Sequence, residues 1–372
     1  MSNTQKKNVP ELRFPEFEGE WEEKQLGNII KVNSGKDYKH LDKGDIPVYG
    51  TGGYMTSVSE PLSEIDAVGI GRKGTINKPY LLEAPFWTVD TLFYCTPKKE
   101  TDILFILSLF RKINWKVYDE STGVPSLSKQ TINKINRFVP TNKEQQKIGK
   151  FFSKLDRQIE LEEQKLELLQ QQKKGYMQKI FSQELRFKDE NGNDYPDWTN
   201  ERLGEVTTVT MGQSPKSVNY TDNSNDTVLI QGNADIDNGL INPRIYTREV
   251  TKLIQKDEII LTVRAPVGKL AMAQINACIG RGVCSIKGDK FLYYFLEWFA
   301  TQNKWIRFSQ GSTFESISGN DIRNIHIKIP VEDERTKIIK LLNSLDVLNS
   351  KTDLKIQNLK QRKQSLLQKI FV

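Results

Sequence analysis

Two short loops bring together the residue types that read nucleic acid. Gly71-Arg72-Lys73-Gly74-Thr75 and Val263-Arg264-Ala265-Pro266-Val267-Gly268-Lys269 occupy similar places, each after a strand-like apolar run. Glycine lets the backbone approach a ligand closely. Arg72 and Arg264 suit a guanine edge, which an arginine meets with two hydrogen bonds, and Lys73, Thr75 and Lys269 suit phosphates. Gln231 and Asn233 suit adenine edges. Lys36, Tyr49, Arg244 and Arg281 complete the expected DNA-contacting set. A single basic loop is more often a solvated turn than a DNA contact, so the weight lies on there being two, on a chain that is itself duplicated.

Catalytic chemistry finds little support. There is no GxxxxGK[ST] phosphate loop, GxSxG elbow, HExxH zinc motif or NPPY-like tetrapeptide. Gly69–Gly74 fits GxGxxG formally but lacks the following helix and ribose-binding acid of a dinucleotide site. Pro196-Asp197 could open a nuclease signature, yet no Asp/Glu-x-Lys follows, and a turn before Trp198 is the simpler reading. With two histidines, a His-based triad or multi-histidine metal site is nearly excluded by supply. Three cysteines without CxxC spacing argue against a disulfide framework or a cysteine zinc site and fit a reducing cytoplasm. No catalytic or metal site and no cofactor bound by this chain is therefore expected.

The elements that would position the loops come from a repeat. Ser126–Phe181 aligns with Ser316–Phe371 at a constant offset of 190 without a gap. Each copy runs from SLSKQTINKINRFVP or SISGNDIRNIHIKIP, through an acidic E-x-x-K-I start, to QKIF. The fronts repeat more weakly. Leu12-Arg13-Phe14, Trp21 and Leu26-Gly27 match Leu185-Arg186-Phe187, Trp198 and Leu203-Gly204, with the offset drifting from 173 to 177.

The tails carry heptads. Ile148, Phe152, Leu155, Ile159, Leu166 and Leu169 step by three and four residues, interrupted by Glu162 and followed by Lys173. Ile338, Leu342, Leu345, Ile356, Leu359 and Leu366 do the same in the second tail, around Asn349, Thr352 and Lys363. Each tail predicts a helix of about forty residues, roughly 60 Å long, whose narrow stripe needs a partner. The other copy is the natural one, and an internal two-fold axis across the seam requires the pair to be antiparallel.

Between the repeated parts lie two inserts with strand-like runs, Ile46–Gly53, Ala67–Ile76, Phe86–Tyr94, Asp257–Ala273 and Ile279–Ile286. Each also holds one aromatic-rich helix candidate, Asp102–Val117 or Lys290–Phe308, read as core. The inserts share little sequence. The expected fold is α+β: globular domains at 1–140 and 185–330, and long helices at 141–184 and 331–372.

Composition sets the outer limits. Lys+Arg of 54 against Asp+Glu of 47 leaves +7 over 372 residues, a basic balance that favours an anionic partner. No apolar run approaches the ~18–20 residues of a membrane span, and MSNTQKKNVP lacks the apolar stretch of a secretory signal. A cytoplasmic location is expected.

Taken together, the two variable inserts, each closed by TGVPSLSKQTINKINRFVP or GSTFESISGNDIRNIHIKIP and followed by a long helix, resemble the specificity subunit of type I restriction-modification enzymes. The resemblance covers essentially the whole chain and is specific as an ensemble, though no single motif is diagnostic. It implies that each insert reads one half of a bipartite, interrupted double-stranded DNA site, and that the helices act as a rigid spacer. It also implies two methyltransferase subunits supplying S-adenosylmethionine chemistry, and motor-nuclease subunits using ATP and magnesium. The alternative is a non-catalytic coiled-coil scaffold that does not bind DNA specifically.

Overall fold

The computed structural model describes residues 8–305 and 316–372. The last residues of the helix candidate Lys290–Phe308 and the first of the stretch Gly311–Pro330 lie outside them. The chain divides into two compact units, one formed by the residues up to Gln164 together with Thr352–Val372, the other by Lys165–Lys351.

Two long helices, Asn142–Phe181 and Glu332–Ile370, are contributed to both units. Acidic residues occupy their first turns, Glu144 in one and Glu332, Asp333 and Glu334 in the other, and complement the helix dipole. Every apolar seam residue expected from the heptads is buried or half-buried.

Within each unit the two helices run antiparallel. In the first unit Phe152 meets Phe371 with ring centroids 6.2 Å apart, Asp156 accepts from Lys363, and Glu162 from Lys355. In the second unit Lys173 reaches Asp346 at 2.7 Å. Asp156–Lys363 and Asp346–Lys173 are the same pair under the 190-residue offset, so the repeat is kept in ion pairs as well as in apolar residues.

The repeated front segments are fixed by a buried carboxylate. Arg13 donates to both oxygens of Glu144 at 2.9 and 2.7 Å, and the Trp21 indole donates at 3.3 Å. Arg186 and Trp198 bind Glu334 in the same way, at 2.8, 2.8 and 2.9 Å. Each carboxylate holds its arginine above the ordinary guanidinium value, chiefly through that hydrogen bond. The backbone agrees: Leu12 N donates to Lys369 O and Leu185 N to Lys179 O, both at 2.9 Å. The drift in offset comes from a small hairpin bridging Lys188 and Asp194 in the second copy.

The inserts, so different in sequence, share one sheet order. In the first unit, Ile30–Ser34, Leu92–Pro97, Ala67–Gly71 and Tyr80–Leu82 pair antiparallel in that order. In the second, Val209–Met211, Val283–Ile286, Ile259–Thr262 and Leu270–Met272 repeat it. A parallel contact follows in each, Ile46–Gly50 with Trp87–Thr88 and Thr227–Ile230 with Ala277–Ile279. The central strands Ala67–Gly71 and Ile259–Thr262 are buried at every residue, which is why they read as unbroken apolar runs rather than alternating ones.

Helices Ile103–Lys112 and Lys290–Thr301 begin at Asp102 and Asp289, whose side chains accept from backbone N–H groups three residues on. Their aromatic residues join the cores, with Phe105, Phe110, Phe291 and Phe295 all buried.

Candidate nucleic-acid interface

In the first unit the loop from Trp87 to Leu92 is a junction onto which the expected contact residues are hung. Lys36 N donates to Thr88 O at 2.8 Å, Gly35 N to Leu92 O at 3.1 Å, and Val89 N to Tyr49 O at 3.0 Å. Arg72 N reaches Thr91 O at 2.8 Å, and Lys73 is bridged to Ser126. Gly35 is required here, because a Cβ would sit 2.0 Å from Val89 O. Lys36, Arg72 and Lys73 are exposed, and Tyr49 and Thr75 are half-buried. Tyr80 donates to Gly50 O at 2.6 Å, and burial raises the phenol's pKa, so it stays a donor.

The second unit repeats the junction bond for bond. Gln213 N donates to Ile279 O at 2.9 Å, Gly212 N to Val283 O at 3.0 Å, and Gly280 N to Ile230 O at 2.7 Å. Val263 N reaches Gly282 O at 2.9 Å, and Arg264 is bridged to Ser316. A Cβ on Gly212 would meet Gly280 O at 2.1 Å, the counterpart of the Gly35 approach. Counted forward from the first unit, the junction loop and the basic loop lie 191 residues on. Gln213 and Ser214, which stand 177 residues on from Lys36 and Asp37, belong to this site as well, although sequence reading did not select them; Ser214 Oγ accepts from Arg281 N at 3.0 Å. The 177-residue offset of the front segments, carried forward from Leu26-Gly27 and Leu203-Gly204 into the inserts, was the signal that pointed to them.

The structure sorts the expected residues into two groups. Among the described residues, the side chains of Lys36, Lys73, Arg264 and Arg281 make no hydrogen bond or ion pair, and all four are exposed. Arg72 is exposed too, its guanidinium 5.9 Å from the Phe93 ring centroid.

Asn233, Lys269 and Arg244 are used within the unit. Asn233 Nδ2 donates to Pro266 O at 3.2 Å, and Lys269 Nζ donates to Asn233 O at 3.1 Å and also to Ile236 O. Arg244 faces Asp235 at 4.0 Å. In this conformation these contacts of Asn233 and Lys269 brace the basic loop. Gln231 is half-buried, and its backbone N–H donates to Asp235 at 2.8 Å.

What the arrangement offers chemically is two rims of uncommitted cations, each on a rigid backbone lattice with close-packed glycine. Such a surface suits phosphate and base-edge contacts to a duplex.

The sequence profile of the type I restriction modification DNA specificity domain matches residues 18–171 and again 195–361. The chain belongs to that family. Two relatives from Methanocaldococcus jannaschii bear the names of type I restriction enzyme specificity subunits. The one named for MjaX is 30% identical over 261 residues, covering 66% of this chain and 61% of the relative. The one named for MjaVIII is 25% identical over 312 residues, covering 77% of this chain and 71% of its own length. The match to the MjaX relative thus spans under two thirds of that protein.

The fold of this specificity-family chain matches a crystal structure of a type I restriction-modification system S subunit from M. genitalium. The TM-score is 0.69 at 16% identity, over 98% of this chain and 99% of that one. A second solved chain, from work on complex assembly and conformational transition of the type I system, gives 0.59 at 19% identity over 94% and 97%. At such identities the likeness concerns the fold. Among the described residues no helix is long and apolar enough to cross a membrane.

Proposed function

We propose that this chain is the DNA-reading subunit of a type I restriction-modification complex, each unit's insert reading one half of a bipartite, interrupted site. The carrying observation is the repeated junction. Two units with dissimilar insert sequences share one backbone lattice and hold an exposed, uncommitted cation at the same node of it, Lys73 in one and Arg264 in the other.

The remaining roles follow as part of the proposal. The long helices set the distance between half-sites and dock two methyltransferase subunits, and motor-nuclease subunits join that assembly in the cytoplasm. S-adenosylmethionine, ATP and magnesium are used on those partners, and this chain contributes recognition without catalysis.

The test is a map of modified bases across the host genome with and without the gene. The expected result is loss of one interrupted, two-part motif on deletion. Retention of every modified motif would overturn the proposal.

A further inference from the structure

We infer that Lys73 and Arg264 are matched specificity-determining residues, one for each half-site, and that the neighbouring Arg72 is a positioning residue. This rests on the DNA-reading function proposed above. Sequence inspection pairs Arg72 with Arg264, since each is the first arginine after a buried strand. The backbone lattice pairs them differently.

Arg72 N donates to Thr91 O at 2.8 Å and Arg72 O accepts from Leu127 N at 3.0 Å. In the second unit the residue making those two bonds is Val263, to Gly282 O at 2.9 Å and from Ile317 N at 3.0 Å. The next residue in each loop, Lys73 or Arg264, is the one bridged to the equivalent serine, Ser126 or Ser316. Because the backbone fixes the direction of the Cα–Cβ bond, Lys73 and Arg264 leave the two frames from the same place.

The chemistry agrees with this pairing. Val263 is buried, 2% exposed, so the position it shares with Arg72 belongs to the frame. Arg72 lies over the buried Phe93 ring, which anchors the loop through a cation–π contact. Lys73 and Arg264 are exposed and make no hydrogen bond or ion pair among the described residues. Lysine and arginine are both donors to guanine O6 and N7 in the major groove. Different cations at matched positions give each half-site its own preference without altering the frame.

The experiment uses the full-length chain with its partner subunits. Lys73→Ala, Arg264→Ala and Arg72→Ala are each compared with the wild type, by genome-wide mapping of modified bases and by binding to duplexes altered at single base pairs. Lys73→Ala is expected to relax one base pair of one half-site, and Arg264→Ala one base pair of the other. Each should lose roughly 5- to 150-fold in discrimination at that position. Arg72→Ala should blunt discrimination only at the position that Lys73→Ala relaxes, and by less, because the loop loses its anchor on Phe93. Lys73→Arg, which keeps the charge, should alter preference only at the position that Lys73→Ala relaxes.

The inference is overturned if Arg72→Ala relaxes a position while Lys73→Ala does not. It is overturned equally if Lys73→Ala weakens binding uniformly with discrimination intact, as loss of a phosphate contact would. A motif that disappears on gene deletion but is indifferent to Lys73 and Arg264 sinks this inference alone. A motif that survives deletion sinks the functional proposal beneath it.

Discussion

Glu334 has no exposed side-chain surface, and its two oxygens are occupied by Arg186 and Trp198. Removing one partner of a buried ion pair leaves the other charge desolvated and unmatched, at a cost of about 3–5 kcal/mol. Glu334→Ala should lower the stability of the second unit by that order in a chemical denaturation series, and Glu144→Ala should do the same in the first. The glutamates were legible as part of a repeated helix start, but their role was not. Arg13 lies 131 positions from Glu144 and Arg186 lies 148 from Glu334, and no local pattern joins residues so far apart. Asp119 shows the same residue-scale logic at the surface. Its carboxylate accepts from the backbone N–H of Ser126 and from Ser121, and these bonds, Ser126's first, hold its pKa below the ordinary value. A depressed folded pKa means the bonds are fully present above the ordinary carboxylate range and are lost as pH falls through the lower folded value. Amide exchange at Ser126, the partner of Lys73, should therefore accelerate only on strong acidification. Acceleration already at the ordinary aspartate pKa would remove this account of the loop.

At the scale of elements, the long helices were the most legible part of the chain, because a heptad stripe is a local periodicity that survives without knowledge of the partner. Their antiparallel pairing was also inferable, since Lys173 and Lys363 are repeat-equivalents, and each is now seen on the repeat-equivalent aspartate. The inserts were illegible by comparison. Their common lattice is built from backbone N–H and C=O groups, which every sequence carries, so close-packed glycines such as Gly35, Gly71, Gly212 and Gly282 are its trace in the sequence. The bracing contacts of Asn233 and Lys269 were illegible for a related reason, in that a polar side chain beside a glycine loop can brace it as readily as face a ligand. The helices have a prediction of their own. Asp156–Lys363 and Lys173–Asp346 fall on either side of Leu166 along the first helix, so four extra residues inserted there cannot leave both pairs in register. The insertion adds about 6 Å of helix. The modified-base map of such a variant should show a changed spacer between unchanged half-sites, or no modification because assembly fails. Full modification at the original spacing would mean that the helices do not act as the ruler.

For the whole molecule, the competing reading is a coiled-coil scaffold indifferent to DNA, and electrostatics separates the two. The chain's net charge is only +7, too small an excess to define a nucleic-acid protein by itself. What matters is where uncommitted cations stand. Lys173 and Lys363 are nearly buried and already paired with carboxylates, so they contribute little to any external partner. Lys36, Lys73, Arg264 and Arg281 are exposed and unpaired among the described residues, and they stand at the two matched junctions. If Lys36 and Arg281 neutralise phosphates, binding releases the condensed counterions, and log K falls linearly with log salt by about 0.9 per phosphate contacted. The full chain with its partner subunits should therefore bind duplex carrying the mapped site with a steep, linear salt dependence. Lys36→Ala and Arg281→Ala should each reduce the slope if their side chains meet the backbone. A scaffold would show weak binding, a shallow slope and no response to either substitution. Because the two substitutions lie in different units, a change in slope from only one of them would identify a single reading domain, and with it a chain that recognises one element of DNA rather than two.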